Sequence, residues 1–237
     1  MGAMMLVLTR KVGEIIMIGD HISISLAGMR GNAVSLAIQA PEEYAVLRKE
    51  IYDFLKEENL AASRSDPGQL KELAPYFPKH VPSVSPPIYQ PDSDFISLTT
   101  KKFGAIKVHQ DQIISIIPGP VGFCKCNTFA LLDDLLAPPF QVLQCLGEPG
   151  LSFIVVEPPH IFPNYQIQAL KKVMQELGAE SPEDLQVLII LTIPPDRPRE
   201  MTANLLGPLL INRRTRRGKK VVLDKRDYSS QHRVFPD

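Results

Sequence analysis

Ile22-Ser-Ile-Ser-Leu-Ala-Gly-Met-Arg-Gly-Asn-Ala-Val-Ser-Leu-Ala-Ile38 decides the fold of the N-terminal part of this chain. Ile22, Ile24 and Leu26 alternate with Ser23 and Ser25, and Val34, Leu36 and Ile38 alternate with small residues. A two-residue period places apolar side chains on one sheet face and polar ones on the other. Gly28-Met-Arg-Gly-Asn32 between the runs reads as a turn, so the pair makes a hairpin. Upstream, Leu6, Leu8 and Arg10 alternate with Val7, Thr9 and Lys11, which predicts a first strand. Downstream, Ala40-Pro41 breaks the sheet, and Tyr44 to Leu47 fit a last short strand. Residues 49–58 are helical in composition, with Ile51, Phe54 and Leu55 forming an apolar stripe. A unit of about fifty residues buries a low fraction of its surface and is commonly stabilised by oligomerisation. A dimer with strands shared between chains is the expectation.

Composition changes after Glu58. Pro67, Pro75, Pro78, Pro82, Pro86, Pro87 and Pro91 fall in residues 59–92 among many serines. Proline lacks the backbone donor a ladder needs and favours extended chain, so this segment reads as a linker. Within it, Pro67-Gly-Gln-Leu-Lys-Glu-Leu-Ala-Pro75 fits a short helix over 68–74, with Leu70 and Leu73 on one side and a proline stop. So short a helix is marginal alone and needs a docking surface.

Residues 93–237 contain short apolar runs separated by turn signals. Residues 112–117 precede Pro118-Gly-Pro120, 140–145 precede Gly147, 153–156 precede Pro158-Pro159, and 187–193 precede Pro194-Pro195. That pattern predicts a mainly antiparallel sheet or barrel. A helix is expected over 165–177, with Ile167, Leu170, Val173, Met174 and Leu177 at helical spacing and Gly178 ending it. Ser181-Pro-Glu-Asp184 marks a second, shorter helical start. The fold class is mainly β.

Bulk properties exclude several function classes. The 237 residues carry 26 basic and 26 acidic side chains, so net charge gives no support for nucleic-acid binding. No apolar run approaches the roughly 18 residues that span a bilayer. Met1-Gly-Ala-Met4 reads as a cloning remnant before a natural start at Met5, not as a signal peptide, so a cytoplasmic location is expected. Cys124, Cys126 and Cys145 cannot all pair, which fits a reduced compartment, and no zinc-like spacing accompanies Cys124-Lys-Cys126. Asp133-Asp134 and the histidines at 21, 80, 109, 160 and 232 form no nucleophile, metal or phosphate constellation. The chain reads as a non-enzyme with no metal or cofactor.

Met5-Leu-Val-Leu-Thr-Arg-Lys-Val-Gly-Glu14, Ile18-Gly-Asp20, Gly28-Met-Arg-Gly-Asn32 and Ala40-Pro-Glu-Glu-Tyr-Ala-Val-Leu-Arg-Lys-Glu-Ile-Tyr52 occur in order. Over residues 5–58 the chain resembles the carbon storage regulator (CsrA/RsmA) family. That resemblance implies a dimer of five-stranded chains with a C-terminal helix, binding GGA in single-stranded loops of mRNA leaders. Each RNA surface would combine the first strand of one chain with the last strand of the other. By motif position the contacts are Leu8, Thr9, Arg10 and Lys11, with Val46, Leu47 and Arg48. Base edges of single-stranded RNA are open to strand backbone groups. Arg48 has planar donors suited to a guanine edge or a phosphate. The family often has Arg at Lys11 and His at Leu47; Lys cannot supply a bidentate fork.

Phe103-Gly-Ala-Ile-Lys-Val108, Ile117-Pro-Gly-Pro-Val-Gly-Phe123, Phe129-Ala-Leu-Leu132, Phe140-Gln-Val-Leu-Gln144 and Thr202-Ala-Asn-Leu-Leu-Gly-Pro208, with Ile211-Asn212, make residues 93–237 similar to the flagellar assembly factor FliW family. This implies a β-barrel-like domain with one or two short helices that binds carbon storage regulators and flagellin. Thr202, Asn204, Pro208 and Asn212 carry the family motif; read from the residues alone, they suit a buried strand and turn. Arg213-Arg-Thr-Arg-Arg-Gly-Lys-Lys220 is a local basic block, read as a solvated loop that would also attract RNA or an acidic partner. Together the resemblances imply a translational regulator with a built-in antagonist. The barrel would contact the regulator domain in cis or in trans. The alternative is a flagellin-binding assembly chaperone whose small domain mainly dimerises it.

Overall fold

The computed structural model describes residues 5–77, 95–123, 125–167, 170–223 and 228–235. The expected cloning remnant (residues 1–4), the latter part of the expected linker (residues 78–92) and Cys124 lie outside the described residues. The chain divides into two compact units, residues 1–48 and 49–237.

The first unit is an antiparallel meander of β1 (Ile15–Ile18), β2 (Ile22–Arg30) and β3 (Ala33–Gln39). Ile24 pairs with Ile38 and Leu26 with Leu36. The register shifts between Leu26 and Gly28, and β2 then runs to Arg30, opposite Ala33. The expected five-residue turn therefore contracts to Gly31-Asn32, with Gly31 at φ 56°. Two-residue turns with positive φ match the twist of paired strands, which is why the shorter loop wins. The predicted first and last strands lie outside the sheet of the single chain. Every described residue of this unit is exposed or half-buried. Val7 is 84% exposed, and Leu6, Ile15, Met17, Leu36 and Val46 are also exposed, so these apolar side chains find no core within their own unit.

The second unit opens with α1 (Lys49–Ser63), which runs past the expected end at Glu58. A 3₁₀ turn (Pro67–Gln69), α2 (Leu70–Leu73) and another 3₁₀ turn (Ala74–Tyr76) follow. β4 (Phe95–Thr100) and β5 (Gly104–His109) form a separate hairpin. β6 (Ile113–Ile116), β7 (Thr128–Leu132), β8 (Phe140–Cys145) and β9 (Ser152–Val156) come next. After α3 (Leu170–Leu177) come β10 (Leu185–Thr192), β11 (Thr202–Ala203), β12 (Leu209–Asn212), β13 (Arg217–Lys220) and β14 (His232–Arg233). Ser181-Pro-Glu-Asp184 makes a 3₁₀ turn, with Asp184 accepting from the Ser181 and Glu180 N–H groups.

Seven strands close into a barrel. The ladder runs β12-β13-β6-β7-β8-β9-β10, and β10 pairs back onto β12. All neighbours are antiparallel except β13 and β6. Alternation along each strand builds the interior: Ile114 and Ile116, Phe129 and Leu131, Leu143 and Cys145, Phe153 and Val155, Leu188 and Ile190, Leu209 and Ile211. Gly218 is the β13 member of this layer; a Cβ there would stand 3.2 Å from Ile211 Cγ1 and 3.4 Å from Ile116 Cγ1. The remaining strand residues face outward and are covered by three elements. The β4–β5 hairpin covers Ala130, Leu132 and Val142 with Ile106 and Val108. α3 covers Leu185 and Leu210 with Val173 and Leu177. Leu70, Leu73 and Phe77 cover Phe140, Ile154, Val156, Ile189 and Leu191. Each buried Leu or Phe contributes roughly 1.5–3 kcal/mol.

Asn212 ends β12 and is fully buried. Its Nδ2 donates to the carbonyls of Leu177 (3.0 Å) and Gly178 (3.2 Å) at the end of α3, and its Oδ1 accepts from the N–H groups of Arg214 and Thr215. Replacing it by Ala strips partners from buried backbone groups, which costs about 1–3 kcal/mol. Urea unfolding of Asn212→Ala is expected to show that loss; a midpoint equal to wild type would refute the role.

Candidate functional site

Two groups of residues are candidates for a functional site, one in each unit. In the first unit Leu8, Thr9, Arg10 and Lys11 are exposed, as are Val46 and Arg48, while Leu47 is half-buried. Residues 8–11 precede β1 and residues 46–48 follow β3, and no strand ladder joins them within one chain. A turn fixes the end of the first group: the Glu14 carboxylate accepts from Lys11 N–H at 2.8 Å, and Gly13 N–H donates to Leu26 C=O.

The second group lies where α1 closes one end of the barrel. Ala62 of α1 packs into the interior cluster beside Ile114, Phe129, Phe153 and Leu188. Leu55 and Ala62 are buried, and Asn59 between them is 1% exposed. Asn59 Nδ2 donates to Val121 C=O at 2.8 Å, and Asn59 Oδ1 accepts from Lys220 Nζ at 2.6 Å. Val121 sits in the loop between β6 and β7. The next residue, Gly122, has φ 92°, and a Cβ there would stand 3.1 Å from Lys56 Cγ. Glycine thus meets both the backbone conformation and the close approach of α1. Beyond the helix, Ser65 is buried and its Oγ accepts from Ile193 N–H at 2.9 Å.

Charge organises this contact. Lys220, two residues after Gly218, lies on the inward side of β13. Burial under α1 pulls its pKa down to about 8, and the nearby Glu58 carboxylate opposes that shift. Burial raises the pKa of Glu58, while a hydrogen bond from Gln231 Nε2 (2.7 Å) and the charge of Lys220 pull it back. The cluster of Glu58, Asn59, Lys220 and Gln231 therefore joins α1 to two separate parts of the barrel chain.

Leu70 and Leu73 are buried in the adjoining cluster with Phe77. Phe77 stands edge-on to Phe140 at 4.7 Å between ring centroids and also contacts Phe235 at 5.6 Å. Arg199 lies over the Tyr76 ring, 4.9 Å from its centroid. The family-motif residues hold turns. Asn204 Oδ1 accepts from Gly207 N–H, Pro208 C=O accepts from Val221 N–H, and Thr202 pairs with Arg233 between β11 and β14. The basic block spans the β12–β13 turn and β13. Arg213 is paired with Glu157, Arg214 with Glu180 and Lys219 with Glu176, so much of its charge is balanced within the barrel.

Residue patterns alone miss Glu58, Asn59 and Ser65, and they read Lys220 only as one charge of the basic block. A signal for α1 was available, because Leu55, Asn59 and Ala62 stand at positions i, i+4 and i+7 of one helix face. Asparagine is a poor helix former, and here its side chain has tertiary partners that offset that preference.

The pKa of Lys220 gives a pH test. With about 8 in the folded state and an ordinary value of 10.5, the unfolded chain binds more protons between those pH values. Lys220 therefore adds stability as pH rises from 8 towards 10.5, and this increment disappears as pH falls through 8. Cys126, whose thiol burial pushes up to about 12, works in the opposite direction above pH 9. The difference in urea midpoint between wild type and Lys220→Met isolates the lysine. It is expected to move in favour of wild type from pH 7 to pH 10; a flat difference would contradict the assignment.

Comparison with known proteins covers both units. Residues 97–234 match the FliW protein family, and residues 5–57 match CsrA, the global regulator protein family. A flagellar assembly factor FliW from Natranaerobius thermophilus is 32% identical over 142 residues, 60% of this chain and 94% of that protein. One from Geobacillus kaustophilus is 35% identical over 142 residues, 60% of this chain and 97% of its own length. A crystal structure of the flagellar assembly factor FliW aligns with a TM-score of 0.55 and 35% identity, over 60% of this chain and 98% of that one. This chain belongs to the FliW family, and it is a fusion in which a CsrA-family domain precedes the FliW barrel.

Proposed function

We propose that the chain is a translational regulator that binds GGA in mRNA leader loops as a homodimer, and that its own barrel acts as the antagonist. The observation that carries this reading is the location of α1. The CsrA match extends to residue 57, yet the compact unit containing the barrel begins at Lys49. The last helix of the regulator sequence is therefore packed as part of the barrel unit.

Position gives this packing its leverage. Arg48, the last of the proposed RNA contacts, immediately precedes α1. Any contact that holds α1 acts on the backbone next to Val46, Leu47 and Arg48. Fusion also makes the contact intramolecular, so the effective concentration reaches roughly the millimolar range. Dimerisation is supported by the exposed apolar residues of the first unit and by its small size. In this reading flagellin is the releasing ligand: it binds the barrel and lowers the barrel's hold on α1. By linkage, α1 docking then weakens flagellin binding by the same factor.

The test uses the full chain, a hairpin RNA with GGA in its loop and a CCA control. Wild type is expected to bind GGA weakly and Asn59→Ala about tenfold more tightly, because a lost buried hydrogen bond shifts docking by roughly that factor. Flagellin is expected to strengthen RNA binding by wild type and to leave Asn59→Ala nearly unchanged. Sedimentation equilibrium is expected to give twice the 26.4 kDa of one chain. Equal affinity of wild type and Asn59→Ala for GGA would remove the built-in antagonist. Failure of both to distinguish GGA from CCA would favour the chaperone whose small domain only dimerises it.

A further inference from the structure

The last turn of α1 leaves carbonyls without intrahelical donors, and a distant lysine satisfies the final one. The last four carbonyls of a helix have no intrahelical donor. Leu60 C=O accepts from Ser63 Oγ at 2.8 Å, Ala61 C=O from Arg64 N–H, and Ala62 C=O from Ser65 N–H. Ser63 C=O is taken by Lys102 Nζ at 2.7 Å, and the same ammonium reaches Ser65 C=O at 2.9 Å. α1 has no basic residue in its last turn, and no glycine directly succeeds it to make the usual left-handed cap. A cation bonded to the carbonyls at the negative end of the helix is thus supplied from 37 and 39 residues away, in addition to the exposed Arg64 just past the helix.

The lysine is held for this task. Lys102 lies in the β4–β5 turn, where Thr100 Oγ1 donates to Gly104 C=O and accepts from Phe103 N–H. Its side chain is partly buried; burial lowers its pKa, and the Asp66 carboxylate just beyond α1 opposes that shift. Asp66 in turn accepts from Gly68 N–H and starts the 3₁₀ turn that leads to Leu70.

We propose that Lys102 is the positioning residue by which the barrel recognises the end of α1. It selects a helix that stops at Ser63 with an uncapped carbonyl, succeeded by a buried serine and an acidic residue. It also sets the register of the segment after the helix: Ser65 against Ile193, then Leu70, Leu73 and Phe77 against the barrel wall. The regulatory meaning of this recognition rests on the proposed function, but the recognition itself does not.

Amide hydrogen exchange of the full chain tests it without RNA. Lys102→Met keeps the apolar stem and removes the donor. It is expected to speed exchange at residues 61–66 and 70–73 by about tenfold or more, with β7 to β10 unchanged. Lys102→Arg is expected to recover most of the protection, and Lys101→Met, in the same turn, to leave it at the wild-type level. Unchanged protection in Lys102→Met would overturn the proposal. So would loss of protection across β7 to β10 in both Lys102 variants, since that marks a residue needed to fold the barrel. A local loss in Lys102→Met with wild-type RNA affinity would uphold the cap while sinking the antagonist reading.

Discussion

One constraint governs the second unit: the barrel has an end that its own strands leave open, and a helix from outside the barrel sequence closes it. Ala62 fills apolar space there, while Asn59 satisfies Val121 C=O and Lys220 Nζ. Removing the helix would expose interior side chains and strip a buried carbonyl and a lysine of their partner at once. Apolar and polar contributions of this contact are therefore coupled through one helix face.

The two compact units differ in how complete they are. The barrel unit has an interior layer and three covered outer faces, each closed by a different part of the chain. The first unit pairs three strands and buries no described residue. The unit boundary at Arg48 also differs from the boundary between the two family matches, because packing assigns α1 by what it touches and homology assigns it by descent.

Much of this was legible in residue patterns. The period-2 runs at Ile22 to Leu26 and Val34 to Ile38 pair in register, and the interrupted apolar runs after residue 93 form the barrel. Leu70 and Leu73 stand out in a proline-rich stretch because two leucines on one short helical face need a surface, and they are buried. The extent of α1 was legible only in part, in the shared face of Leu55, Asn59 and Ala62. Asn59 and the serines after it read as linker because their polar groups are matched by Val121, Lys220, Lys102 and Ile193, all distant in sequence. The expected helix over 165–177 is observed as α3 from Leu170, while Tyr165 instead donates its hydroxyl proton to Leu205 C=O. Residues 6–11 carry strand periodicity without an intrachain ladder, since alternation specifies a face and not a partner.

The barrel closes through a parallel pair, Ser115 with Arg217 and Ile116 with Gly218. That closure sets a timetable for synthesis. The chain makes α1 early and β13, with Lys220, late; at about 5–20 residues per second the interval is on the order of 10–30 s. During that time the N-terminal unit is already made, but the barrel end that receives α1 does not yet exist. Every new molecule thus passes through a period in which α1 has no barrel end to pack on, and the order of the segments along the chain determines that the helix waits for the barrel.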